Sequence, residues 1–150
     1  MSDRALLRTG LVLAILGLGI AGYLTYVHYA DVDPVCNIAH GCHKVQTSQY
    51  AELAGVPVAL LGLIGYVLLL ACAIAPGDVG RFGGLFTGLI GFGFSAYLTY
   101  LELFVIDAIC QWCVASAIVM ALSVAVAAAR AFAYTGRELG APQIESSHGR

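Results

Sequence analysis

Apolar and charged positions fall into long separate blocks along this chain. Residues 9–27, 53–77, 82–101 and 108–129 carry no Asp, Glu, Lys or Arg. A helix crosses a hydrocarbon core with about 20 apolar residues, and each block is long enough. The pattern predicts an all-α integral membrane protein, a four-transmembrane-helix bundle with helices at about 9–29, 55–76, 82–104 and 108–130. These form one domain over residues 1–133, followed by a polar cytoplasmic tail at 134–150. Composition agrees: 60% of the 150 residues are hydrophobic and 11% charged, and the mean hydropathy is +0.87. A soluble domain of this size needs far more surface charge.

The first block follows Arg4 and Arg8, as the core of a secretory signal would. It is too long for one, and it runs into Tyr23-Leu24-Thr25-Tyr26 where a small-x-small cleavage site would be needed, so a retained helix is expected. Of seven Lys and Arg, six (Arg4, Arg8, Arg81, Arg130, Arg137 and Arg150) fall on one side of four alternating helices, and Lys44 falls opposite. The positive-inside rule then places both termini in the cytoplasm of a multi-pass inner-membrane protein. The net charge of −2 gives no sign of nucleic-acid binding.

This topology sorts the cysteines. Cys36 and Cys42 fall in the first outer loop and Cys110 and Cys113 at the outer start of the fourth helix, all on the oxidising side. Cys72, deep in the second helix, is most simply a small buried hydrophobe. Small residues such as Gly10, Gly17, Gly22, Gly84 and Gly88 suit close helix packing in lipid. Tyr23, Tyr26 and Tyr29 suit an interfacial aromatic belt, with His28 snorkelling beside them. Residues 21–26 are echoed by residues 95–100, and in each copy a cysteine follows the last tyrosine by ten positions, Cys36 and Cys110. Two cysteine pairs are thereby presented from equivalent positions, whether or not the echo reflects a duplication.

The chemistry concentrates in Cys110-Gln111-Trp112-Cys113. Cysteines at i and i+3 on a helix share a face and can form a disulfide or hold a metal. At a helix N-terminus the N–H donors favour a thiolate, hence redox chemistry. The loop pair is spaced C-x5-C with Gly41 beside Cys42, which suits a disulfide-closed turn. His40 and His43 also permit zinc, although the spacing is wider than a zinc knuckle. Residues 47–55 read as a short outer-loop helix lying on the bundle mouth, with Thr47 or Ser48 as N-cap and Gly55 at its end. Pro57 then opens the second helix. Glu102 and Asp107 bracket an outer connector and read as solvated carboxylates.

Two outward dithiols on a small bundle suggest an electron relay by thiol–disulfide exchange. One pair can meet a soluble partner, and the other, at membrane depth, a lipid-soluble quinone in a pocket lined by Tyr, Phe and Trp112. Cys36, Cys42, Ser48, Gly55-Val56-Pro57 and Cys110-Gln111-Trp112-Cys113, in this order, resemble the vitamin K epoxide reductase family over residues 10–130. The resemblance implies that Cys110 and Cys113 are the active-site pair, with Cys113 facing the quinone, and that Cys36 and Cys42 are the shuttle pair, with Cys42 passing electrons to Cys110. It places Ser48 near the quinone. Val58 and Ala117 fall near the positions where animal members carry an Asn and a Tyr that hold quinone oxygens, which puts epoxide reduction in doubt. The implied acceptor is menaquinone, ubiquinone or a relative. The implied partner is a separate thioredoxin-like oxidant outside the membrane, because this chain stops too soon for the fused thioredoxin-like domain of some bacterial relatives. The competing reading is a membrane protein whose disulfides only staple its loops, or which holds a Cys/His metal site, with no redox turnover.

Overall fold

The computed structural model describes residues 3–37 and 41–140. Helix α1 (Asp3–Ala30) is followed by a loop and a one-turn helix α2 (Cys42–Gln46). A two-stranded hairpin, β1 (Glu52–Leu53) and β2 (Val56–Pro57), leads into α3 (Val58–Ile74). Helices α4 (Gly77–Phe104) and α5 (Gln111–Gly140) complete the chain. The long helices form a closed ring in which α1 packs on α3 and α5, and α4 packs on α3 and α5.

Among the described residues, three helical segments have the length and apolarity of a membrane span: Asp3–Ala30, Gly77–Ile106 and Gln111–Ala133. Helix α3 is apolar but only 17 residues long, about 25 Å at the α-helical rise. Two prolines set its bounds, inside the expected 55–76. Pro57 is its N-cap, and Ala75 is extended (ψ 133°), as the residue before a proline prefers. Helix α5 runs to Gly140, so residues 134–140 of the expected polar tail are helical. Residues 141–150, including Arg150, lie outside the described part. Outward apolar side chains such as Val12, Ile15, Leu16 and Phe132 are more than half exposed, a surface suited to lipid and not to water.

The core rests on one close approach. A Cβ at Gly17 of α1 would collide with the ring of Tyr66 from α3. Lacking it, α1 lets that ring lie fully buried, and the hydroxyl donates to the Ser116 carbonyl of α5 at 2.8 Å. Ala14, Ala21, Leu69 and Met120 complete this cluster. Cys72 is half-buried, against the Gly83 and Gly84 face of α4. At the far end, the Arg81 guanidinium lies 3.8 Å from the Asp3 carboxylate, and Arg81 and Arg130 border the same small cavity.

The helix expected at residues 47–55 is not formed. The one-turn helix lies earlier, at Cys42–Gln46, and residues 52–57 make the hairpin instead. Ala54 and Gly55 both have positive φ (54° and 80°), as a two-residue primed turn requires. Gly55 is therefore a hairpin residue and not a helix terminator. Val58 N–H donates to the Ala51 carbonyl at 2.9 Å, tying the hairpin to the start of α3.

Candidate active site at the outer bundle mouth

Cys110 is the residue before α5, and its carbonyl accepts the Val114 N–H at 3.0 Å, so it occupies the helix start. It is completely buried. Its thiol is pulled down to about 7 by a hydrogen bond with the Cys113 thiol and then by the Cys113 and Trp112 backbone N–H groups. Burial and the nearby Glu102 charge oppose this. Cys113 lies one turn deeper, half-buried, and both thiols are free.

The loop cysteines come to the same place. Cys36 and Cys42 form a disulfide with Cα atoms 6.3 Å apart. Cys42 opens α2, is completely buried, and belongs to one cluster with Val45 and Cys110; Cys36, Ile106, Ala108, Trp112 and Cys113 pack around it. Gly41 makes the approach possible. A Cβ there would lie 2.7 Å from both the backbone N and O of Ile109, a contact that no side chain tolerates. The two residues between Cys110 and Cys113 hold the loop down. Gln111 Oε1 accepts the Asn37 N–H at 3.2 Å and its Nε2 donates to the Val35 carbonyl at 3.2 Å. Trp112 Nε1 donates to the same carbonyl at 2.8 Å. Tyr23 packs at a tilt of 52° against Trp112 with ring centroids 4.9 Å apart, and its hydroxyl accepts the Val35 N–H at 3.0 Å.

On the other side of Cys113 lies a cavity of about 430 Å³ between the helices, within the usual range for small-ligand sites. Its walls are mainly apolar, from residues such as Leu24, Val58, Leu61, Phe94 and Ala117, with Cys113, Ser48, Ser116, Thr99, His28 and Glu102 supplying polar atoms. Ser48, Val58, Ala117 and Cys113, all expected near a quinone, border it. Trp112, expected there too, does not: its side chain is turned to the loop at Val35. The Ser48 hydroxyl donates to the Val45 carbonyl at 2.8 Å, so it follows α2 and does not cap a later helix. His28, expected to snorkel, meets Glu52 at 3.3 Å at the cavity rim.

Glu102, expected to be solvated, is buried. It is 4% exposed, and its Oε2 accepts the Cys110 N–H at 3.0 Å. The Cys113 thiol lies within electrostatic reach of this carboxylate. Asp107 is exposed, as expected, in a turn where its φ is 51°. The available signal was the isolation of Glu102 at the end of a 20-residue uncharged block, because a carboxylate at membrane depth is costly without partners. Among the described residues no group of three or more His, Cys, Asp and Glu side chains could hold a metal ion. His40, part of the zinc reading, lies outside them.

Paired thiols at a helix start, one of them completely buried, with a second cysteine pair packed on them and an apolar cavity beyond, suit a membrane thiol oxidoreductase. The family model described as "Vitamin K epoxide reductase family" matches residues 9–128, and the chain belongs to that family.

Proposed function

We propose that this protein is a quinone-dependent thiol oxidase that takes electrons from a thioredoxin-like partner outside the membrane and so supports disulfide-bond formation. The observation that carries this reading is the continuity of three features: the disulfide-bonded Cys42 packs on Cys110, Cys110 hydrogen-bonds with Cys113, and Cys113 borders the apolar cavity.

In the proposed cycle the partner's dithiol reduces the Cys36–Cys42 disulfide, entering at Cys36, the less buried sulfur. The freed Cys42 thiolate attacks Cys110 of a Cys110–Cys113 disulfide and releases Cys113. Attack by Cys36 on Cys42 restores the loop disulfide and leaves Cys110 and Cys113 as a dithiol, two electrons richer. A low thiol pKa at Cys110 makes it the better leaving group when Cys42 departs. Reoxidation of the dithiol passes two electrons and two protons to a quinone, giving a quinol. The cavity suits a flat apolar ring with two polar oxygens, although Val58 and Ala117 offer those oxygens no hydrogen bond. Menaquinone and ubiquinone both meet this description, and epoxide reduction finds no support in the wall.

The reading includes four spans. Helix α3 completes the ring, and its outer residues Val67 and Ile74 are about half exposed or more, so it shares the apolar exterior of its neighbours. It further includes one bundle domain, cytoplasmic termini beside Arg81 and Arg130, and the cysteines on the outer face of the inner membrane. The test is quinone reduction by the purified protein with dithiothreitol or a thioredoxin-like dithiol protein as donor. Replacing Cys36 with Ala should spare the first donor and block the second; equal loss with both would contradict the relay.

A further inference from the structure

Forming a disulfide from a dithiol releases two protons as well as two electrons. Around Cys110 and Cys113 these protons need an acceptor, since Cys110 is completely buried and the half-buried Cys113 borders a mainly apolar cavity. One group reaches both cysteines. The Glu102 carboxylate accepts the Cys110 N–H at 3.0 Å, lines the same cavity as Cys113, and lies within electrostatic reach of the Cys113 thiol. A carboxylate 4% exposed at the end of a spanning helix is costly to keep. The Cys110 N–H alone does not require it, because a backbone carbonyl or an amide side chain would satisfy that donor equally well.

We infer that Glu102 is a catalytic proton carrier: its carboxylate takes the Cys113 thiol proton as the disulfide forms and hands it to the electron acceptor in the cavity. The inference rests on the quinone reading above. In balance, Cys110 and Cys113 each lose one proton and together lose two electrons to form one S–S bond. The quinone gains two electrons and two protons to form the quinol. One of those protons passes through Glu102, which ends each turnover as it began. The hydrogen bond from Cys110 N–H to Oε2 aims the carboxylate, and the approach to Cys113 is the transfer coordinate. Positioned acid–base groups of this kind contribute about 10²- to 10⁴-fold to a rate.

Glu102→Gln tests this, because the amide oxygen can still accept the Cys110 N–H while the group can no longer carry a proton. In single turnovers of the dithiothreitol-reduced protein with a soluble quinone, E102Q should oxidise Cys110 and Cys113 about 100-fold more slowly, with the unfolding temperature retained. E102D, which keeps the acid on a shorter stem, should recover part of the loss and should carry the wild-type solvent deuterium isotope effect, while E102Q should not. Oxidation within threefold of wild type in both variants would overturn the role. If the wild-type protein leaves quinone untouched, the reading above fails. Glu102 is then judged with diamide, an oxidant that consumes thiolates directly. Tenfold slower disulfide formation in E102Q would uphold the proton role, and equal rates would refute it.

Discussion

The two ends of this bundle are built on opposite principles. At the end marked by Arg81, helices meet through small residues, and the buried Ser123 hydroxyl is satisfied within its own helix by the Val119 carbonyl. At the other end, contacts are polar and distant in sequence: Gln111 and Trp112 reach back more than 70 positions to Val35 and Asn37. The first end needs only shape, and small changes there should cost stability. The second end must bring four sulfurs into register and release them, so small changes there should cost rate.

Breaking that contrast is easiest at Cys113. Cys113→Ala should abolish quinone reduction with any donor, because no dithiol remains beside the cavity, while the bundle stays folded; turnover of purified C113A at wild-type rate would remove the assignment. Next is Gly41→Ala. Its Cβ cannot fit against the Ile109 backbone, and overpacking of this kind costs about 1–3 kcal/mol. Exchange from the loop to Cys110 should slow about tenfold or more, and reduction of quinone by dithiothreitol should change little. Unaltered use of the protein partner by G41A would show that the close approach is not needed.

Acidity should have a smaller, graded effect. Cys110 has its thiol drawn down to about 7, so the thiolate is present above that pH and lost as pH falls through it. Alkylation of Cys110 in the reduced protein should drop about tenfold per pH unit below 7 and level off above; a midpoint near the ordinary value for a free thiol would contradict the hydrogen-bond geometry. The smallest effect on rate belongs to the opposite end. Gly88→Val would press on Val124, whose Cγ2 lies 3.1 Å from the position of a new Cβ. Its thermal stability in detergent should fall by about 1–3 kcal/mol, with turnover within twofold of wild type. A large loss of turnover at normal stability would blur the separation between the two ends.

Much of this arrangement is legible in the residue order. Uncharged blocks announce the helices, and alternation across them brings Cys36, Cys42, Cys110 and Cys113 to one end, where one cluster holds them all. What the order hides is direction. Trp112 in the first turn of α5 could equally face a cavity or a loop, and only the position of the Val35 carbonyl decides. Glu102 shows the same limit: at a helix end a carboxylate can turn to water or inward, and the Cys110 N–H and Cys113 thiol draw it inward. The segment at 47–55 was ambiguous because so short a stretch carries little periodicity, and the Ala54-Gly55 turn outweighed the capping signals.

The central claim is that Cys42 and Cys110 exchange directly. In the double variant Cys36→Ala, Cys113→Ala each of these sulfurs loses its own partner, and mild oxidation followed by non-reducing peptide mass spectrometry reads what they do next. The relay predicts a Cys42–Cys110 disulfide in most molecules; Cys42 and Cys110 recovered as separate thiols after oxidation would contradict it.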